Sequence, residues 1–126
     1  MGKILIVDDD PDIVDASSLI LQKEGHTIKA AYSRAEGMAA VESFHPDLMI
    51  LDVMMEQPDD GFTMAQELRR QGRNFPIIML TSVASASGLA FGKDAEMVPV
   101  DEFQAKPVEP ADLVRKVANL LRRREV

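Results

Sequence analysis

The chain of 126 residues contains no cysteine, which excludes disulfides and thiolate metal sites. Long apolar runs are missing too. The first run, Ile4–Val7, ends at Asp8 and is too short for the core of a signal peptide. Nothing approaches the roughly 20 apolar residues of a membrane span. The opening MGKILI lacks the Ser or Thr of a myristoylation signal. Positive charge is in deficit, with 14 Lys and Arg against 21 Asp and Glu and a net charge of −7. That balance argues against nucleic acid as a partner. What is present is 46% hydrophobic and 28% charged residues, the composition of one soluble, cytoplasmic globular domain with a real core.

Four short apolar runs mark candidate strands: Ile4–Val7, Leu48–Leu51, Ile77–Leu80 and the weaker Thr27–Ala31. The first three are continuous rather than alternating, as in strands buried on both faces of a parallel sheet. Lys29 inside the fourth suits an edge strand. Helical spacing appears between the runs. Asp10 and Pro11 open one helix, with Ile13, Ala16, Ser17, Ile20 and Leu21 inward and Gly25 at its end. Ser33-Arg-Ala-Glu36 reads as a capping box opening a second helix to about Phe44. A third spans Gly61 to Gln71, with Met64, Ala65 and Leu68 inward. A last helix opens at Glu109-Pro110, with Leu113, Val114, Val117, Leu120 and Leu121 on one face and arginines 122–124 at its C-terminus. Strands alternating with helices predict a doubly wound parallel sheet. Ligands of such sheets bind beyond the carboxyl ends of the strands, at the switch point in strand order.

The residues beyond those ends carry chemistry. Asp8, Asp9 and Asp10 follow the first strand, Asp52 the third, Thr81 and Ser82 the fourth, and Lys106-Pro107 precedes the last helix. With strand order 2-1-3-4-5, Asp8, Asp9 and Asp52 converge, and a hydroxyl and an ammonium approach from the side. Two carboxylates about 4 Å apart repel by roughly 4 kcal/mol at an effective dielectric near 20, so such a pocket calls for a cation. Few oxygen ligands with several waters suit Mg²⁺. A carboxylate can act as the nucleophile in phosphoryl transfer, a reaction that needs mainly positioning and charge neutralisation. Each piece alone has a blander reading: a solvated turn, a helix cap, a Lys-Pro turn. Their order and placement together are specific.

VDDDP, LDVMM, LTS and AKPV, in this order and spacing, closely resemble the receiver domain of two-component response regulators, over essentially the whole chain. The resemblance implies a flavodoxin-like fold, α/β, with a five-stranded parallel sheet of order 2-1-3-4-5 and helices on both faces. It implies that Asp52 is the phosphoacceptor, with Asp9, Asp52 and the carbonyl of Met54 on Mg²⁺ and Asp8 acting through water. Thr81 would be the switch hydroxyl, Lys106 the phosphate partner and Phe103 the switch aromatic. The Lys106–Pro107 bond would be cis. The implied activity is a phosphorelay step: a histidine kinase or histidine phosphotransfer protein supplies the phosphoryl group, and an unknown downstream protein reads it. On this reading the chain is no enzyme in the ordinary sense, though it would support its own phosphorylation and dephosphorylation. Only Arg-Arg-Arg-Glu-Val follows the last apolar positions, so the expectation is a single receiver domain over residues 1–126, without an output domain, nucleic-acid partner or membrane partner.

The sequence departs from the family pattern twice. MMEQPDDGF holds one residue more than the usual loop after the acceptor. The stretch Ser82 to Val100 alternates small residues with serines and contains Gly88, Gly92 and Pro99, which predicts an irregular segment where a fourth helix would come and a short fifth strand near Asp101–Ala105. Three rival readings are weaker. Asp8-x-Asp10 resembles the motif of haloacid-dehalogenase-type phosphatases, but those need later metal-binding acids where this chain has Lys106. A calcium loop starting at Asp8 would have Ile13 at its glycine position and Leu19 at its glutamate position. A phosphorylation-independent interaction module would usually have lost the acceptor or the lysine.

Overall fold

The computed structural model describes residues 2–53, 60–82, 100–106 and 108–125. In chain order the elements are β1 (Lys3–Val7), α1 (Pro11–Lys23), β2 (Thr27–Ala31), α2 (Arg34–Phe44), β3 (Leu48–Asp52), α3 (Asp60–Arg70), β4 (Ile77–Ser82), β5 (Glu102–Lys106) and α4 (Pro110–Glu125). The strands form one sheet of order β2-β1-β3-β4-β5, and every pairing is parallel. Both expectations from the strand pattern, the order and the placement of helices over two faces, are met.

Side-chain alternation along the central strands builds two cores. Leu5, Val7, Met49, Leu51, Ile77 and Met79 pack with Val41, Met64, Ala65 and Leu68 under α2 and α3. Ile4, Ile6, Leu48, Ile50, Ile78 and Leu80 pack with Val14, Leu21, Leu113, Val117 and Leu120 under α1 and α4. This explains why the three central runs are apolar at every position: neither face of those strands meets water. Each such side chain contributes about 1.5–3 kcal/mol on burial.

The helix starts are set by local polar chemistry. The Asp10 side chain accepts from the Asp12 N–H at 3.0 Å, and Pro11 fills the first helical position, where no N–H is needed. Ser33 Oγ accepts from the Glu36 N–H at 3.1 Å, and Glu36 Oε1 accepts from the Tyr32 N–H at 3.0 Å. The capping box is therefore closed one residue before its usual position. Gly25 turns the chain after α1 with φ of 92°.

Three sequence expectations shift. On α1 the buried stripe is Val14, Ser17 and Leu21, while Ala16 is exposed and Ile13 and Ile20 are half-buried. The α3 boundaries lie one residue earlier than expected, at Asp60 and Arg70. Strand β5 begins at Glu102, not Asp101, and includes Lys106. The reason is that the Asp101 carboxylate is committed elsewhere. Its Oδ2 accepts from the Ile77 N–H at 2.9 Å and from Arg69 Nη2 at 2.9 Å, fixing the chain just before the strand. The segment 83–99, where an irregular fourth-helix region was expected, lies outside the described residues, as do Met54, the loop 54–59 and Pro107.

Candidate functional site

The carboxyl ends of β1, β3 and β5 meet at one place. Asp52 is the last residue of β3 and pairs with Leu80, which belongs to the core under α1 and α4. By alternation from Ile6 and Ile50, Asp8 and Asp52 stand on that same face of the sheet. Both are buried, at 0% and 4% exposure, whereas Asp9 is exposed. One oxygen from each of Asp8, Asp9 and Asp52 lies within 4.8 Å of the others. A turn bond aims Asp8: its Oδ1 accepts from the Asp10 N–H at 2.9 Å. Asp10 thus caps α1 with its side chain and orients Asp8 with its backbone.

Lys106 closes the cluster. Its Nζ donates to Asp52 Oδ1 at 3.0 Å and lies 3.1 Å from Asp8 Oδ2. The two carboxylates, 44 residues apart in sequence, therefore share one ammonium. Burial alone would lower the lysine pKa, but the hydrogen bond and charge of Asp52, followed by the charge of Asp8, outweigh it and leave the value raised. Lys106 is thus a cation throughout the neutral range. Asp8 Oδ2 is fully buried and, among the described residues, has the Lys106 ammonium as its ion-pair partner but no further donor. A buried carboxylate oxygen with unused lone pairs, beside two further carboxylates, is the donor set of a hard, oxygen-seeking cation.

The remaining expected residues sit nearby but in the other layer. Thr81 is buried in β4, one residue beyond the partner of Asp52, and pairs with Ala105. Phe103 pairs with Met79 and packs, partly buried, on the core under α2 and α3. Gly61 is a contributor that the sequence reading placed at the start of the third helix without giving it a part in the site. Its N–H donates to the Val53 carbonyl at 2.9 Å. A Cβ built there would lie 2.2 Å from the Asp52 carbonyl oxygen and 2.6 Å from Val53 Cα. Only glycine lets α3 start against the end of β3, and its signal was a Gly directly after two aspartates at a helix start.

A family model for the response regulator receiver domain matches residues 4–118. The chain is a response regulator receiver domain. It is 36% identical over 125 residues to the DNA-binding dual master transcriptional regulator RpaA of Synechocystis sp., covering 98% of this chain and 50% of that one. It is 33% identical over 124 residues to the alkaline phosphatase synthesis transcriptional regulatory protein PhoP of Bacillus subtilis, again covering 98% and 50%. The chain thus spans about half the length of these curated relatives. Among solved structures, a putative response regulator from Chloroflexus aurantiacus superposes with a TM-score of 0.82 at 30% identity, over 95% of this chain and 97% of that one. A CheY-like receiver from Methanospirillum hungatei gives 0.83 at 28% identity, over 99% and 97%. The flavodoxin-like, CheY-like fold expected from the motifs is the observed one. Receiver domains as a family bind Mg²⁺ at their acidic pocket, and response regulators take phosphoryl groups from histidine kinases. No helix among the described residues is long and apolar enough to cross a membrane.

Proposed function

We propose that Asp52 is the covalent phosphoacceptor of this receiver. The observation that carries the reading is the pairing of a buried Asp52 with Lys106, 3.0 Å away, beside buried Asp8 at the end of the central strand. An Asp52 carboxylate oxygen forms the new bond to phosphorus while the donor's P–N or P–O bond breaks, the leaving group taking that bond's electron pair. Asp9, Asp52 and the Met54 carbonyl would hold Mg²⁺, with Asp8 acting through water, and the ion would supply charge neutralisation for the transferring group. Lys106, already charged and in reach of Asp52, follows the added phosphoryl oxygens. Thr81 supplies a hydroxyl to the same group, and Phe103, on the Thr81 side of the sheet, repacks in response. With donor and metal present the chain supports its own phosphorylation and, with water as the attacking group, its own dephosphorylation. The donor is a histidine kinase or a histidine phosphotransfer protein, the setting is the cytoplasm, and the signal passes on by protein contacts.

Intact-protein mass spectrometry with acetyl phosphate and Mg²⁺ tests this. One added phosphoryl mass is expected on the wild type and none on Asp52→Asn. Equal labelling of Asp52→Asn would refute the assignment.

A further inference from the structure

The seam between β5 and α4 has an unusual polar composition. Gln104 is buried, at 3% exposure. It pairs with Leu80, so its side chain belongs to the face of the sheet under α1 and α4, the face of the core that holds Leu80, Leu113 and Val117. Its Nε2 donates to the Ala105 carbonyl at 3.3 Å, while its Oε1 has no donor among the described residues. The amide orientation is fixed by that one bond, because turning it over would set two oxygens against each other. A buried amide oxygen without a donor has lost its water and gained nothing.

A donor stands close by in the fold. Lys116 on α4 reaches down to β5 and donates from Nζ to the Phe103 carbonyl at 2.6 Å. An ammonium carries three N–H groups and turns freely about its stem. Phe103 O and Gln104 Oε1 belong to consecutive residues of the same edge strand, one served by the lysine and one unserved. Gln104 is also tied to the acidic pocket. Asp52 pairs with Leu80 and Leu80 pairs with Gln104, and Lys106, two residues on, stands on the same face as Gln104 and reaches Asp52.

We propose that Lys116 is a two-position strut, and that Gln104 Oε1 is its second acceptor, taken up when charge added at Asp52 moves Lys106 and with it β5. Position one pins α4 to the backbone at Phe103. Position two satisfies the buried amide and frees the Phe103 carbonyl and its side chain to shift. The proposal rests on Asp52 being the phosphoacceptor. It makes Gln104 a positioning residue for the output face.

The test uses the full chain, isotopically labelled with ¹⁵N, with beryllofluoride and Mg²⁺ as the phosphoryl mimic. In the wild type the mimic is expected to shift the Gln104 side-chain amide resonances together with the backbone signals of Asp9 and Val53. In Lys116→Met, which keeps the apolar stem, the Asp9 and Val53 signals should still shift and those of the Gln104 amide should not. Gln104→Leu, without any mimic, should melt at a higher temperature than the wild type because the unserved oxygen is gone. A full Gln104 amide shift in Lys116→Met, a silent Gln104 amide in a wild type whose Asp9 and Val53 respond, or a lower melting temperature for Gln104→Leu each overturns the strut. If Asp9 and Val53 themselves do not respond, the phosphoacceptor reading falls and the coupling falls with it.

Discussion

Gly61→Ala offers a sharp test because two effects of opposite sign compete at one atom. In an open helix the added methyl group would stabilise, since Ala is favoured over Gly by about 1 kcal/mol. Here the new Cβ would sit 2.2 Å from the Asp52 carbonyl oxygen, 2.6 Å from Val53 Cα and 3.0 Å from the Asp52 carbonyl carbon. All three atoms are backbone, so no side chain can rotate away. Either α3 backs off and breaks the bond from Gly61 N to Val53 O, or the end of β3 moves. Overpacking of this kind costs about 1–3 kcal/mol, and the lost bond adds about 1 kcal/mol. The propensity gain offsets only part of that, leaving a net loss of about 1–3 kcal/mol. For a chain of this length that is a fall of about 3 °C or more in melting temperature. Urea denaturation of Gly61→Ala beside the wild type measures it, and the rate of labelling by acetyl phosphate reads the displacement of Asp52. A variant as stable as the wild type, or more so, with unchanged labelling, would refute the argument that α3 is anchored on the acceptor backbone.

Lys106→Met should leave Asp8 and Asp52 buried without their shared cation, a loss of about 3–5 kcal/mol for a broken buried pair; Mg²⁺ should then raise the melting temperature more in the variant than in the wild type, and equal shifts would count against a common site. The Lys106 pKa is raised above its ordinary 10.5 despite burial, because Asp52 and Asp8 favour the charged form. The stability from that pairing is therefore present below the ordinary lysine value and lost as pH climbs through the raised one, so wild type and Lys106→Met should converge in stability in strong alkali but not at pH 7. His26 runs the other way: burial lowers its pKa, and its neutral Nδ1 accepts from the Gly2 N–H at 3.1 Å. That contribution is present above about pH 6.5 and lost on acidification, and an NMR titration placing His26 above 6.5 would contradict it. Ser33→Ala should cost about 1 kcal/mol by removing the cap on Glu36 N, measured by thermal melting, with phosphoryl labelling unchanged.

Much of this fold was legible because its strands announce themselves. Ile4–Val7, Leu48–Leu51 and Ile77–Leu80 are continuous apolar runs for one reason, burial on both faces, and each is followed at once by polar residues that mark the strand end. By that logic Asp8 and Asp9 fall just after one strand and Asp52 at the end of another, as the strands lie in the structure. The stripe on α1 was harder. Val14 and Ala16 are both apolar and both lie near the helical period, and alanine is too small to declare a face. Only docking on the sheet shows that Val14 goes in and Ala16 goes out. The start of β5 escaped because Asp101 is held by Arg69, 32 residues earlier. The double pairing of Lys106 and the burial of Gln104 are likewise tertiary facts. Read locally, a glutamine in a five-residue strand is a surface residue.

The alternation of the strands also decides how the two halves of the site divide their work. Asp8, Asp52 and Lys106 stand on the face under α1 and α4, while Phe103 belongs to the layer under α2 and α3 and Thr81 continues the Ile77–Met79 side of β4. On the proposed reading, charge added at Asp52 on one face would be answered by Thr81 and Phe103, rooted on the other. Between strands packed on both sides this is blocked by side chains at native density. At the carboxyl ends the layers open and residues of neighbouring strands come within one register step: Asp52 pairs with Leu80, Thr81 with Ala105 and Ser82 with Lys106. The end of β4 is thus the place where a change at Asp52 can pull on both layers at once. Strand β5, like β2 at the other edge, has a single neighbour in the sheet, and that neighbour is β4.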